Sequence, residues 1–137
     1  MHDTDLALLI DRFMRTIHFG LQERAPGFDR EAVGPGGGIV LMTLCDAGRI
    51  SLNELTKRVA RDKSQMTRMI RSLETKGLVD REVSPDDGRV TLVFLTAKGE
   101  GVVRELMRAV AEVVGEILEP ISAEERLTLQ NLLSRVV

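Results

Sequence analysis

Asp62-Lys63-Ser64-Gln65-Met66-Thr67-Arg68-Met69-Ile70-Arg71-Ser72-Leu73-Glu74-Thr75-Lys76-Gly77 carries a start, a face and a stop. Asp62 with Gln65 three positions on is a helix-start pattern, because the aspartate can accept from a first-turn amide that has no partner inside the helix. Met66, Met69, Ile70 and Leu73 recur at three- and four-residue steps, which predicts one buried face, and Gly77 ends the helix. The opposite face carries Ser64, Gln65, Arg68, Arg71 and Ser72, with Thr67 at its margin. Just upstream, Ser51-Leu52-Asn53-Glu54 repeats the start pattern as a capping box, and Leu52, Leu55 and Val59 supply a stripe. Two short amphipathic helices joined by about three residues, the second polar and basic on its free face, make a helix-turn-helix.

Working outward, Leu78 to Val83 and Val90 to Leu95 are β-branched or apolar runs flanking Ser84-Pro85-Asp86-Asp87-Gly88-Arg89, a turn-forming segment, so a β-hairpin is predicted. Thr96 opens a long helix with a stripe from Val102 to Leu118 that halts at Pro120. Ser122-Ala123-Glu124-Glu125 is a further capping box ahead of a final helix striped by Leu127, Leu129, Leu132, Leu133 and Val136. On the N-terminal side, a first amphipathic helix runs from residue 3 to about 22 and is closed by Ala25-Pro26-Gly27. The Pro- and Gly-rich stretch from Glu23 to Gly38 reads as a connection. A short second helix follows, with Ile39, Val40, Leu41, Leu44 and Cys45 on its apolar side and Gly48 at its end.

The chain has 137 residues, 43% apolar and 29% charged, which fits one globular domain spanning 1–137. Four Phe with neither Tyr nor Trp leave a core of Leu, Val, Ile and Met, which suits helices better than a β-sandwich. One cysteine excludes an internal disulfide and a cysteine-based zinc site, and neither a metal nor another cofactor is expected. Asp3, Asp5 and Asp11 stand where a signal peptide would be basic and then apolar, and no run is long enough to span a membrane, so a cytoplasmic protein without a membrane partner is expected. Net charge is −2, yet Lys57 to Lys76 holds seven basic and two acidic residues, so a basic stripe sits inside an otherwise acidic chain. Nothing resembles a catalytic site: the two histidines, His2 and His18, lack a nucleophile partner, and the glycines at 34–38 lack the strand and lysine of a phosphate loop. An enzyme is not expected.

Leu52-Asn53-Glu54-Leu55 with the stretch Ser64 to Val79 resembles the helix-turn-helix of MarR-type regulators, and Asp87-Gly88-Arg89 followed by Leu95-Thr96-Ala97-Lys98-Gly99 resembles that family's wing motif. The fold this implies is mainly α with a small β-hairpin wing: a winged helix-turn-helix at about 35–96, flanked by dimerisation helices at about 3–22 and 97–137. The glycines at 34–38 depart from the family, whose second helix usually opens on a Ser or Thr cap.

The residue types fit DNA. Arg donates two bonds to guanine, Gln pairs with adenine, and Ser or Thr meets bases or phosphates, so Ser64, Gln65, Thr67, Arg68 and Arg71 are the candidate base readers. Lys57, Arg58, Arg61, Lys63 and Lys76 are candidate phosphate contacts. In the wing, Arg89 is the candidate for the minor groove, held by Asp87. The outer helices carry apolar stripes with nothing else to cover them, which predicts a homodimer whose recognition helices lie about 34 to 36 Å apart on a palindromic operator. By resemblance, the output is repression relieved by a small aromatic or amphipathic ligand, with Phe13, Met14, His18, Phe19 and Met42 as candidate pocket residues. Two alternatives remain: a winged helix serving as a protein-interaction module, and a redox-responsive regulator using Cys45, a residue expected to be buried beside Leu41 and Leu44.

Overall fold

The structure is a computed structural model that describes residues 3–137; His2 lies outside them. Among the described residues, six helices and three strands follow one another as α1 (Thr4–Phe28), α2 (Gly34–Ala47), β1 (Ile50–Ser51), α3 (Leu52–Val59), α4 (Lys63–Thr75), β2 (Val79–Val83), β3 (Thr91–Leu95), α5 (Ala97–Ile117) and α6 (Ala123–Val136). The chain divides into two compact units, Pro26–Met107 and Met1–Ala25 with Arg108–Val137.

The Pro26–Met107 unit is the winged helix. Its core is aliphatic: Val40, Leu41 and Leu44 of α2 meet Leu55 of α3, Met66, Ile70 and Leu73 of α4, and Leu78, Val79, Val93 and Val103. No described polar or charged residue is buried, so apolar burial drives this packing without a buried polar network. The strands form one antiparallel sheet in the order β1-β3-β2, with Val79 opposite Leu95, Val83 opposite Thr91, and Ile50 opposite Val93. The hairpin is the expected one. The two-residue β1 was not legible, because its pairing is long-range and two residues carry no period.

α3 and α4 are separated by three residues, and Ala60 supplies the left-handed turn at φ 54°. Ser51 Oγ accepts from the Glu54 amide at 3.1 Å. The reciprocal half of that capping box is missing, because the Glu54 carboxylate instead meets Arg58 Nε at 3.3 Å. Asp62 Oδ1 caps α4 by accepting from the Gln65 amide at 2.8 Å.

The largest correction concerns α2. The sequence suggests a connection through Gly38, but the helix begins at Gly34 and includes the three glycines, with Pro35 in the first turn, where its missing N–H is harmless. Asp29 takes the place of a Ser or Thr cap, its carboxylate accepting from the Val33 and Gly34 amides at 2.9 and 3.0 Å. The glycines sit close to their neighbours: a Cβ on Gly37 would lie 3.0 Å from Val33 Cβ, and one on Gly36 would displace the flexible end of Met69, 2.5 Å away. Packing thus outweighs poor helix propensity. A second correction is Cys45, which is exposed, at the edge of the buried stripe in the last turn of α2.

In the other unit, α1 crosses Gly20 against α5, where a Cβ would lie 2.8 Å from Val113 Cγ1. Arg24 ties the two helices through Glu116 at 2.5 Å and holds the Gly20 carbonyl at 3.1 Å. α1 continues past the predicted end near residue 22 to Phe28, with Pro26 in its last turn, where few helical bonds remain to be lost. Ser122 and Glu125 form the complete capping box of α6. Neither α1 nor α6 has a buried residue. Among the described residues no helix is long and apolar enough to cross a membrane.

Candidate nucleic-acid interface

α4 is held from beneath by Met66, Ile70 and Leu73, with Met69 half-buried, which leaves the opposite side in solvent. Ser64, Gln65, Thr67, Arg68, Arg71 and Ser72 are all exposed there. Among the described residues, the side chains of Ser64, Gln65, Arg68 and Arg71 have no hydrogen-bond or ion-pair partner. Their donors and acceptors are free for a ligand. Thr67 differs: its hydroxyl donates to the Lys63 carbonyl at 2.8 Å, as a helical threonine does when it satisfies itself locally.

The five candidate phosphate contacts do not behave alike. Lys57, Arg61 and Lys63 are exposed and form no ion pair among the described residues. Arg61 reaches toward the start of α2, 3.8 Å from where a Gly36 Cβ would stand. Arg58 is paired to Glu54 on the surface, an interaction that water and salt weaken readily. Lys76 is half-buried and donates to the Ala32 carbonyl at 2.9 Å.

In the wing, Asp87 Oδ1 accepts from both the Arg89 backbone amide at 3.0 Å and Arg89 Nε at 3.2 Å. These hydrogen bonds, the backbone one foremost, hold the Asp87 carboxyl below its usual range. Arg89 extends into solvent, with its side chain 92% exposed. Two wing contacts escape the sequence pattern. Arg49 stacks on the Phe94 ring at 3.8 Å and pairs with Glu82, tying the end of α2 to β2 and β3. Arg81 meets Glu74 at 2.8 Å, joining β2 to the last turn of α4. The partners of Arg49 lie far along the chain, and the Arg81–Glu74 pair forms only once β2 folds back beside α4, so neither follows from local spacing.

The proposed pocket residues belong to both compact units. Phe13 is half-buried and Met14, His18 and Phe19 are exposed on α1, whereas Met42 packs on the core of the winged helix. No group of His, Cys, Asp and Glu among the described residues could hold a metal ion.

The family model of MarR matches residues 39–91, from the second turn of α2 to the start of β3. An uncharacterized HTH-type transcriptional regulator of Mycobacterium leprae is 33% identical over 128 residues, covering 93% of this chain and 85% of that protein. Another, of Bacillus subtilis, is 37% identical over 97 residues, covering 71% of this chain; that match spans only 59% of the relative's length. Among solved structures, a mutant MarR from E. coli complexed with operator DNA superposes with a TM-score of 0.73 at 29% identity, covering 97% of this chain and 94% of that one. The chain belongs to the MarR family of winged helix-turn-helix transcriptional regulators.

Proposed function

We propose that this chain is a sequence-specific DNA-binding repressor of the cytoplasm that works as a homodimer and is released from its operator by a small aromatic or amphipathic ligand. The observation that carries the reading is the outward face of α4, where Ser64, Gln65, Arg68 and Arg71 stand exposed without a partner. These side chains match the donors and acceptors of the major groove, while Lys57, Arg61 and Lys63 suit phosphates. Arg89 on the wing suits the minor groove. The E. coli protein complexed with operator DNA supports the same assignment. The whole of 1–137 acts as one regulator, with the winged helix for DNA and the outer helices for self-association.

Repression follows from a dimer occluding a promoter. Release requires only a ligand that prefers a spacing of recognition helices unsuited to DNA. The exposure of Cys45 favours a second route, in which an accessible thiol is oxidised and binding changes; peroxide that leaves operator affinity unchanged removes it.

The test is selection from a random duplex library at moderate salt. The expected result is a palindrome with half-sites about one helical turn apart. On that operator, Arg68→Ala relaxes sequence preference and costs about 1–3 kcal/mol, whereas Lys57→Ala weakens all DNA alike and lowers the salt slope by about one. Identical behaviour of the two variants sinks the division between reading and positioning. Recovery of no motif, with salt-resistant binding to a protein instead, favours the interaction module.

A further inference from the structure

The C-terminal end of α4 is strapped to two other segments of the same unit by two lysines, of which Lys76 is a candidate phosphate contact from the sequence. Lys76 Nζ donates to the Ala32 carbonyl at 2.9 Å, reaching the loop between α1 and α2. Lys98, at the start of α5, donates from Nζ to the Lys76 carbonyl at 2.9 Å and lies 3.1 Å from the Glu31 carboxylate in that same loop. The next two carbonyls are also taken, Gly77 by the Thr96 hydroxyl at 2.6 Å and Leu78 by the Thr96 amide at 3.1 Å.

The loop is itself a firm anchor. Ala32 sits in the left-handed region at φ 54°, and Asp29 fixes the two amides that follow. Two cations at the C-terminal end of α4 also complement its dipole.

We infer that Lys76, Lys98 and Glu31 form a strap that sets the pose of α4, so that these three are positioning residues for DNA binding and Lys76 is not a phosphate contact. The physical basis is that each ammonium is committed to protein oxygens. Apart from the Arg81–Glu74 ion pair, helix orientation is otherwise set by one apolar face, which tolerates sliding more readily than directed bonds do. The inference rests on the DNA-binding reading above.

The experiment uses the full-length chain with Lys76→Met, Lys98→Met, Lys98→Arg and Glu31→Ala, read out as operator affinity across a salt series and as amide exchange in the free protein. Glu31→Ala discriminates most sharply: removal of a negative charge strengthens DNA binding on electrostatics alone, while loss of the strap weakens it. The strap predicts a loss of about three- to tenfold for Glu31→Ala and both Met variants. It also predicts an unchanged salt slope for Lys76→Met, rescue in Lys98→Arg, and faster exchange of the Gly77 and Leu78 amides. A slope that falls by about one in Lys76→Met, the mark of a lost phosphate contact, overturns the inference. Tighter binding by Glu31→Ala overturns it too, as does unaltered amide exchange in the Met variants. Should the wild-type chain bind no DNA, the DNA reading fails, and the exchange data still decide whether the strap exists.

Discussion

At Asp87 one carboxylate oxygen serves the backbone amide and the guanidinium of the same residue, Arg89. A hydrogen-bonded carboxylate is favoured over its protonated form, so the folded Asp87 titrates below its ordinary value of 3.8. The sign follows: a depressed pKa means a contribution to wing order that is fully present above pH 3.8. It is lost as pH falls through the lower, folded value. Carboxyl-carbon NMR is expected to show this depressed titration, with the Arg89 amide shifting at the same midpoint. Arg89→Ala keeps the backbone bond, which is the larger cause, and so restores only part of the shift. A full return to the ordinary value in that variant would show that the guanidinium dominates. Asp87-Gly88-Arg89 was legible because the pairing is local. The stacking of Arg49 on Phe94 was not, since those residues meet only after the sheet forms.

Between elements, the tightest approach at a glycine lies where α5 meets Leu78, the residue that leads into β2. A Cβ at Gly99 would stand 2.0 Å from the Leu78 carbonyl oxygen, a backbone atom that cannot swing aside. Gly99→Ala therefore forces α5 away from Leu78 and disturbs Thr96, whose hydroxyl accepts from the Gly99 amide while donating to Gly77. The expected loss is about 1–3 kcal/mol or more, read from the urea midpoint. Two residues along the same helix, Gly101 has only the end of the Arg104 side chain at 3.7 Å. Gly101→Ala is expected to stabilise by about 0.5–1 kcal/mol through helix propensity. Equal effects at the two glycines would remove the steric argument. Helices with a side-chain cap and a sustained stripe, α3, α4 and α6, emerged near their observed bounds. α2 is longer than the sequence suggests because Gly34-Pro35-Gly36-Gly37-Gly38 carries coil propensity, which the packing of the helix against its neighbours overrides. In the interface, exposure of the α4 face followed from its period, whereas the fate of Lys76 depended on the Ala32 carbonyl, 44 positions away.

On the scale of the whole molecule, the feature that most constrains behaviour is apolar surface with no cover. In α1, Leu6, Leu8, Leu9, Ile10, Met14 and Phe19 are each about half exposed or more, and in α6 so are Leu127, Leu132, Leu133 and Val136. These helices make up much of one compact unit, yet neither buries a single residue. A large uncovered apolar patch is the signature of an interface. A second copy of the chain is the simplest cover, since a two-fold pair satisfies both surfaces at once and gives DNA two reading helices. Sedimentation is therefore expected to give twice the chain mass at micromolar concentration. Leu9→Glu and Leu132→Glu start from exposed positions, so each costs little inside one chain but places a charge in the shared interface. The charged variants are expected to sediment as monomers with retained helical signal and to lose operator affinity by orders of magnitude, because a half-site alone binds weakly. A wild-type chain that sediments as a monomer and still binds a palindrome tightly would overturn the dimer. It would leave the apolar faces of α1 and α6 to some other partner.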